Sequence, residues 1–196
     1  VTAPPELAEP EAARDDAALL AASLQDGEEF TALYDRYFPA VYRYVAGRLG
    51  REAADDVVAE TFLAAFRRRA AFDPARGAVR PWLYGIATNL IAQHRRTETR
   101  RYQALARIGT EPDQAGHEDR VASSVTAERL QPHLARALAG LSRKDRDVVL
   151  LKALGQLGNE EIAAVLGVPY GTVGSRLNRA RRKLRADLPF DGTEGP

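Results

Sequence analysis

Apolar positions recur at helical intervals along most of the chain, and each run reads as one amphipathic helix. Leu19, Leu20 and Leu24 cluster in a short helix from Asp15 to about Gln25, which Gly27 interrupts. Phe30, Leu33, Tyr34, Tyr37, Val41, Tyr42 and Val45 share a face of a longer helix, from Glu28 to about Leu49, with Gly50 as its stop. Their spacing assigns these aromatics to a core rather than to a stacking surface. In AADDVVAETFLAAFRRR, Val57, Val58, Phe62 and Phe66 face inward. A turn at Phe72-Asp73-Pro74 and Gly77 precedes RPWLYGIATNLIAQHRR, residues 80–96, where Trp82, Leu83, Ile86, Leu90 and Ile91 form the apolar side.

Beyond Thr97 the periodicity fades, and Gly109, Pro112 and Gly116 break what is left of it, so residues 99–125 read as an interdomain linker. Fully extended, such a linker reaches on the order of 90 Å, which would let two domains sit at well-separated sites on a duplex. Leu130, Leu134 and Leu138 then mark a helix from about Thr126 to Ala139. Ser142, with Asp145 in the capping-box position, opens a helix from Arg143 to Leu154.

The end of the chain carries the most specific pattern. Gly158 or Asn159 opens a short helix with Ile162, Ala163, Val165 and Leu166 available for burial, and Gly167 closes it in the left-handed position that glycine takes at little cost. Val168-Pro169 makes the turn. Val173, Leu177, Ala180 and Leu184 form the apolar stripe of the next helix, and no acid occurs from Tyr170 to Ala186. Thr172, Ser175, Arg176, Asn178, Arg179, Arg182 and Lys183 are left for the outer surface. This is a helix-turn-helix with a basic second helix, the arrangement that brings a helix N-terminus into the major groove. A solvated basic helix end is the plainer reading; the turn, the small Ala163 and the one-sided charge together favour DNA.

The fold class that follows is all-α, with two small helical domains joined by a flexible linker and a helix-turn-helix in the second. The boundaries are an acidic, proline-rich disordered tail over 1–14, a domain over 15–98, the linker over 99–125, a domain over 126–188 and a short disordered tail over 189–196. Composition narrows the chemistry. The net charge of +1 conceals an acidic start and a basic end, and lysine is confined to Lys144, Lys152 and Lys183. With no cysteine, disulfides and thiolate metal sites are excluded, and His94, His117 and His133 are scattered without paired spacing. No convergent acid, histidine or metal cluster supports an enzyme such as a nuclease, so no catalytic residue, metal or cofactor is expected. No apolar run approaches a membrane span and no signal peptide is evident, which predicts a cytoplasmic protein without membrane insertion.

Two clusters in the first domain remain. Asp55, Asp56 and Glu60 make an acidic stripe that reads as a solvated or a protein-docking face; adjacent aspartates on a helix point apart, which disfavours shared acid–base work. Arg80, Asn89, Arg95 and Arg96 are polar groups able to meet phosphates or base edges. Trp82, the only tryptophan, fits either a core anchor or a single-strand stacking site beside arginines.

Three blocks, DDVVAETFLAAFRR, PWLYGIATNLIAQHRR and EEIAAVLGVPYGTVGSRLNRARRKLR, occur in this order with a linker before the last. From Phe30 to Arg185 the chain thereby resembles the extracytoplasmic-function (ECF) sigma factors, the minimal two-domain group of bacterial RNA polymerase sigma subunits. The resemblance implies sigma domain 2 followed by sigma domain 4 and a role in promoter-specific initiation without catalysis. It implies that Asp55, Asp56 and Glu60 dock on the coiled coil of the polymerase largest subunit. Arg80, Trp82, Asn89, Arg95 and Arg96 would capture the melted strand of the −10 element, Asn89 lying near the flipped base. Thr172, Ser175, Arg176, Asn178, Arg179, Arg182 and Lys183 would read the −35 element. The partners implied are core polymerase, through that coiled coil and the flap, promoter DNA and, optionally, an anti-sigma factor. Departures from the family pattern are Ala59 in place of glutamine, Gly174 in place of a basic residue, and Gly158 in place of a Ser or Thr cap, a role Asn159 is positioned to take. A stand-alone helix-turn-helix regulator is the competing reading, and it leaves the acidic helix and the Trp82 block unexplained.

Overall fold

The computed structural model describes residues 9–108 and 132–187, and every regular element in them is helical. Helix α1 spans Glu9–Ala22 and ends in a turn tied by Ser23, whose backbone N–H donates to Leu19 O and whose hydroxyl donates to Leu20 O. Asp26 caps a 3₁₀ turn, Gly27–Glu29, by accepting from the Glu28 N–H, and α2 (Phe30–Leu49) follows directly. Gly50 sits at φ +91°, ending α2 and starting α3 (Arg51–Arg68) in a backbone region that a side chain would oppose. Asp73 caps a second short turn before α4 (Val79–Gln93). Pro81 is tolerated in the first turn of α4, where its missing N–H would have no intrahelical partner.

Two boundaries differ from the sequence reading. The helix expected over 80–96 breaks at His94, and α5 (Arg95–Ile108) continues well into the stretch read as linker. Its anchors are Glu98 and Tyr102, both buried against the rest of the protein, so tertiary contacts fix this polar, charge-rich helix on the first half. Helix α1 likewise starts inside the stretch read as a disordered tail. The remainder of that tail, the rest of the linker, the start of the helix expected from Thr126 and the tail over 189–196 lie outside the described residues.

The second half comprises α6 (residues 132–140), α7 (Arg143–Ala153), α8 (Asn159–Leu166) and α9 (Tyr170–Asp187). Leu138 of α6 is buried, while Leu134 stays exposed. Ser142 caps α7 as expected, accepting from the Asp145 N–H at 3.2 Å. Asn159 does not cap α8: it is the first helical residue, and the Glu161 carboxylate reaches back to the Gly158 N–H at 2.7 Å. That is half a capping box, and it satisfies an N-terminal donor without any side chain on the cap residue. Gly167 takes φ +60° at the end of α8, as the motif requires.

The first core lies among α2, α3 and α4, with Leu33, Val41, Val45, Ala54, Val57, Val58, Leu83 and Ile91 all but excluded from solvent. A second lies among α7, α8 and α9, around Leu151, Leu157, Ile162, Val173 and Ala180. The two join into one buried cluster because α8 packs on α4. The halves are therefore in contact, where the reach of the linker pointed to separation. Among the described residues no helix is long and apolar enough to cross a membrane.

Candidate nucleic-acid interfaces

Helix α4 is buried on most of its circumference, and its open line runs through Trp82, Gly85 and Asn89, residues three and four apart. Beside it lies an open cavity of about 400 Å³ lined by Arg68, Phe72, Arg76, Trp82 and Asn89 among others. Trp82 is half-buried and leans on Phe72 with ring centroids 5.2 Å apart and planes tilted by 57°. Thus Trp82 is both an anchor, through Phe72, and a partly open aromatic face. An aromatic wall, an exposed amide and exposed guanidinium groups at the rim are the parts needed to stack an unpaired base, bond its edge and neutralise its phosphate. Arg68 and Arg76 were missed in the sequence; Arg68 lies in the RRR run that follows Phe66, and that run was the available signal.

Arg80 is committed elsewhere. Its Nη1 donates to Glu161 Oε1 at 3.1 Å, and its Nη2 donates to the carbonyls of Gly155 and Gln156, each at 3.0 Å. All three acceptors belong to the second half. Arg96 is exposed at the start of α5; the Arg95 side chain lies outside the described set.

Asp55, Asp56 and Glu60 are all exposed on α3, with Leu63, 47% exposed, one turn beyond Glu60. Next to it α2 and α3 bring together Tyr34, Phe38 and Phe62, with Tyr34 and Phe62 centroids 4.8 Å apart. Several aromatics assigned to the core are thus only partly covered: Tyr34 is 38% exposed and Tyr37 and Tyr42 are half-buried, as is Phe38 beside them. The outcome is a mixed acidic and apolar face, suited to a partner rather than to water alone.

Helix α9 keeps Val173, Leu177 and Ala180 inward and exposes Ser175, Asn178, Arg181, Arg182 and Arg185. Arg181 and Arg185 extend the expected basic set. Thr172 and Arg176 are half-buried at the helix start, and Ser175 donates back to Thr172 O at 2.9 Å. Arg179 forks onto Asp145, with Nε 3.0 Å from Oδ2 and Nη2 3.0 Å from Oδ1. Burial would raise the Asp145 carboxyl, but hydrogen bonds from Arg179 and Ser142 and the charges of Arg179 and Arg176 hold it below the usual carboxylate range. Lys183 donates to Gly140 O. Of the basic residues assigned to DNA, Arg179 and Lys183 therefore also tie α9 to the body beneath it.

Residues 33–101 match sigma-70 region 2, and residues 133–184 match sigma-70 region 4. The chain is 33% identical to the ECF RNA polymerase sigma factor SigL of Mycobacterium tuberculosis over 158 residues, 80% of this chain and 87% of that one. It is 33% identical to the ECF RNA polymerase sigma factor BldN of Streptomyces coelicolor over 85% of its own length, and spans only 62% of that relative. Among solved structures, CnrH in complex with the cytosolic domain of CnrY superposes with a TM-score of 0.62 at 28% identity, covering 87% of this chain and 95% of CnrH.

Proposed function

Because this chain belongs to the ECF RNA polymerase sigma factors and carries sigma-70 regions 2 and 4, we propose that its two halves divide promoter reading between the α4 cavity and the exposed face of α9. The protein directs promoter-specific initiation with RNA polymerase and makes no bonds itself. A stand-alone regulator would have no use for region 2.

In our reading the first half, through α5, docks on the coiled coil of the polymerase largest subunit through Asp55, Asp56 and Glu60. The neighbouring Leu63 adds apolar contact. The same half captures the unpaired −10 strand, with a base against Trp82, its edge at Asn89 and its backbone at Arg68, Arg76 and Arg96. The single observation that carries this assignment is the cavity in which an aromatic wall, an amide and arginines converge beside α4. The second half, from α6 to α9, meets the flap and reads the −35 element with Thr172, Ser175, Arg176 and Asn178 near the start of α9. Arg181, Arg182 and Arg185 attract phosphates further along. That CnrH is bound to the cytosolic domain of CnrY supports a sequestering protein, an anti-sigma factor, as a further partner for this chain.

The test is run-off transcription by core polymerase on a library of genomic fragments, with and without the chain. Discrete transcripts that depend on the chain, sharing sequence at −10 and −35, are the expected result. Transcripts lost on scrambling the −10 element but indifferent to Asn89→Ala and Trp82→Ala would remove the α4 cavity from the assignment.

A further inference from the structure

Helix α9 opens on a side chain that the packing of the helix-turn-helix does not use. Tyr170 is its first residue and, at 58% exposure, the most exposed large apolar side chain among the described residues. The buried line of the helix starts one turn later, at Val173, and continues through Leu177 and Ala180. No hydrogen bond or ring contact ties the Tyr170 phenol to another described residue. The Cα–Cβ bonds of a helix tilt toward its N-terminus, so a side chain on the first position projects beyond the tip. An aromatic ring held out in this way costs apolar exposure in the free chain and returns nothing to the fold.

The surface behind the phenol is bare. Tyr170, Gly174 and Asn178 recur every four residues and lie on one line of the helix. A Cβ on Gly174, or on Gly171 beside Tyr170, would meet nothing within 4 Å, and neither glycine is at positive φ. Neither packing nor backbone conformation therefore requires glycine at 174, where it weakens the helix relative to alanine. What these glycines provide lies outside the chain: a partner can approach the helix to backbone distance on both sides of Tyr170. Along the same helix Ser175, Asn178, Arg181, Arg182 and Arg185 are exposed, and no acid occurs from Tyr170 to Ala186. The partner that fits is polyanionic, with an apolar feature where the helix tip reaches it. In the major groove that feature is the C5-methyl group of thymine, the one apolar group among the base edges there.

We propose that Tyr170 is a specificity-determining residue of α9, its ring lying against the C5-methyl group of one thymine in the −35 element. The proposal rests on the −35 role given to α9 above. Tyr170 and Arg176 are six residues apart, which places them about 120° apart around the helix. They therefore read different base pairs, and their contributions add.

The test is competitive binding by holoenzyme, the full chain with core polymerase, to a promoter recovered by run-off. In that promoter deoxyuridine replaces each −35 thymine in turn, on either strand. Uracil keeps every hydrogen-bonding atom of thymine and lacks only the methyl group. The native chain should prefer thymine about fourfold at one position, the worth of one buried methyl group. Tyr170→Ala should lose that preference, and Tyr170→Phe, which keeps the ring and drops the hydroxyl, should retain it. Arg176→Ala should leave the thymine preference in place and alter choice at another base pair. Because the phenol has no described partner, Tyr170→Ala should leave the urea midpoint unchanged, which separates lost recognition from lost folding. Three results overturn the role of Tyr170: uracil accepted equally at every −35 position, a thymine preference that survives Tyr170→Ala, or one that Tyr170→Phe abolishes. Each leaves −35 reading by α9 standing so long as scrambling the −35 element abolishes run-off. Run-off indifferent to that scrambling rejects the −35 role of α9 and the proposal with it.

Discussion

Arginine is the main cation of this protein, and its arginines are not equivalent. Arg176 sits near the start of α9 and has no direct hydrogen bond to Asp145, whereas Arg179 forks onto that carboxylate while its own side chain remains 57% exposed. Replacing Arg176 with alanine should cost ~1–3 kcal/mol of binding at one −35 position and relax preference there. Arg182→Ala should weaken all sequences alike and reduce the salt slope by about one. Arg179→Ala should instead register in folding, lowering urea stability by about 0.5–1 kcal/mol, the scale of a partly exposed pair. Promoter binding by holoenzyme across a −35 panel and a salt series, beside urea denaturation of each variant, separates the three; a change of −35 preference from Arg182→Ala but not from Arg176→Ala would reverse the orientation given to α9. On the other half, Asn89→Ala should leave closed-complex formation near normal and reduce permanganate reactivity of the −10 strand, because an exposed amide beside Trp82 has an unpaired base to bond only after melting.

At the scale of elements, α3 divides its two sides between core and partner. Its inner line of Val57, Val58, Phe62 and Ala65 holds the core, and its outer line of Asp55, Asp56 and Glu60 is exposed to solvent. Asp56→Arg with Glu60→Arg should therefore leave helix content and melting temperature unchanged while abolishing capture by core polymerase in a pull-down. The α8–α9 turn makes a different demand. A Cβ at Gly167 would meet open space, but the backbone there lies at φ +60°, so Gly167→Ala is opposed by the dihedral angle alone, by about 1 kcal/mol. Gly174, inside α9, has the same open space and no such backbone, and Gly174→Ala should stabilise by roughly 0.5–1 kcal/mol. Opposite signs in urea denaturation are the expected outcome, and equal signs would mean that space rather than dihedral angle governs this motif.

For the whole molecule, Arg48 is the residue through which the two halves meet. Burial disfavours its charge, yet Tyr44, Glu98 and Asp147 around it keep it protonated. Removing it leaves Glu98 and Asp147 only their longer pairs, to Arg146 and Arg143 at 3.6 Å each, and loss of one partner from a buried ion pair typically costs ~3–5 kcal/mol. Arg48→Ala should thus do more than lower stability. Trp82 fluorescence, which reports region 2, and far-ultraviolet circular dichroism, which reports both halves, should follow one transition in the native chain and separate in the variant. Coincident transitions in both proteins would show that the apolar contacts of α4 with α8 couple the halves without the ions.

The helices, the turn and the chemistry on their surfaces follow from the local order of residues. Leu177 and Val173 had to face inward because their spacing matches the helical period, Gly167 had to end α8 because only glycine is comfortable there, and the order of the three family blocks pointed to regions 2 and 4. Local periodicity carries such information because it depends on neighbours within a turn or two. Tertiary structure decided what depends on residues far apart in the chain. The docking of α5 on the first half rests on the burial of Glu98 and Tyr102, with Glu98 paired to Arg48 fifty positions earlier. The convergence of Arg68, Phe72 and Arg76 on Trp82 needs the turn between α3 and α4 to fold back. The commitment of Arg80 to Glu161 and of Arg48 to Asp147 joins residues separated by 81 and 99 positions, and no period or motif in a sequence records a contact of that range.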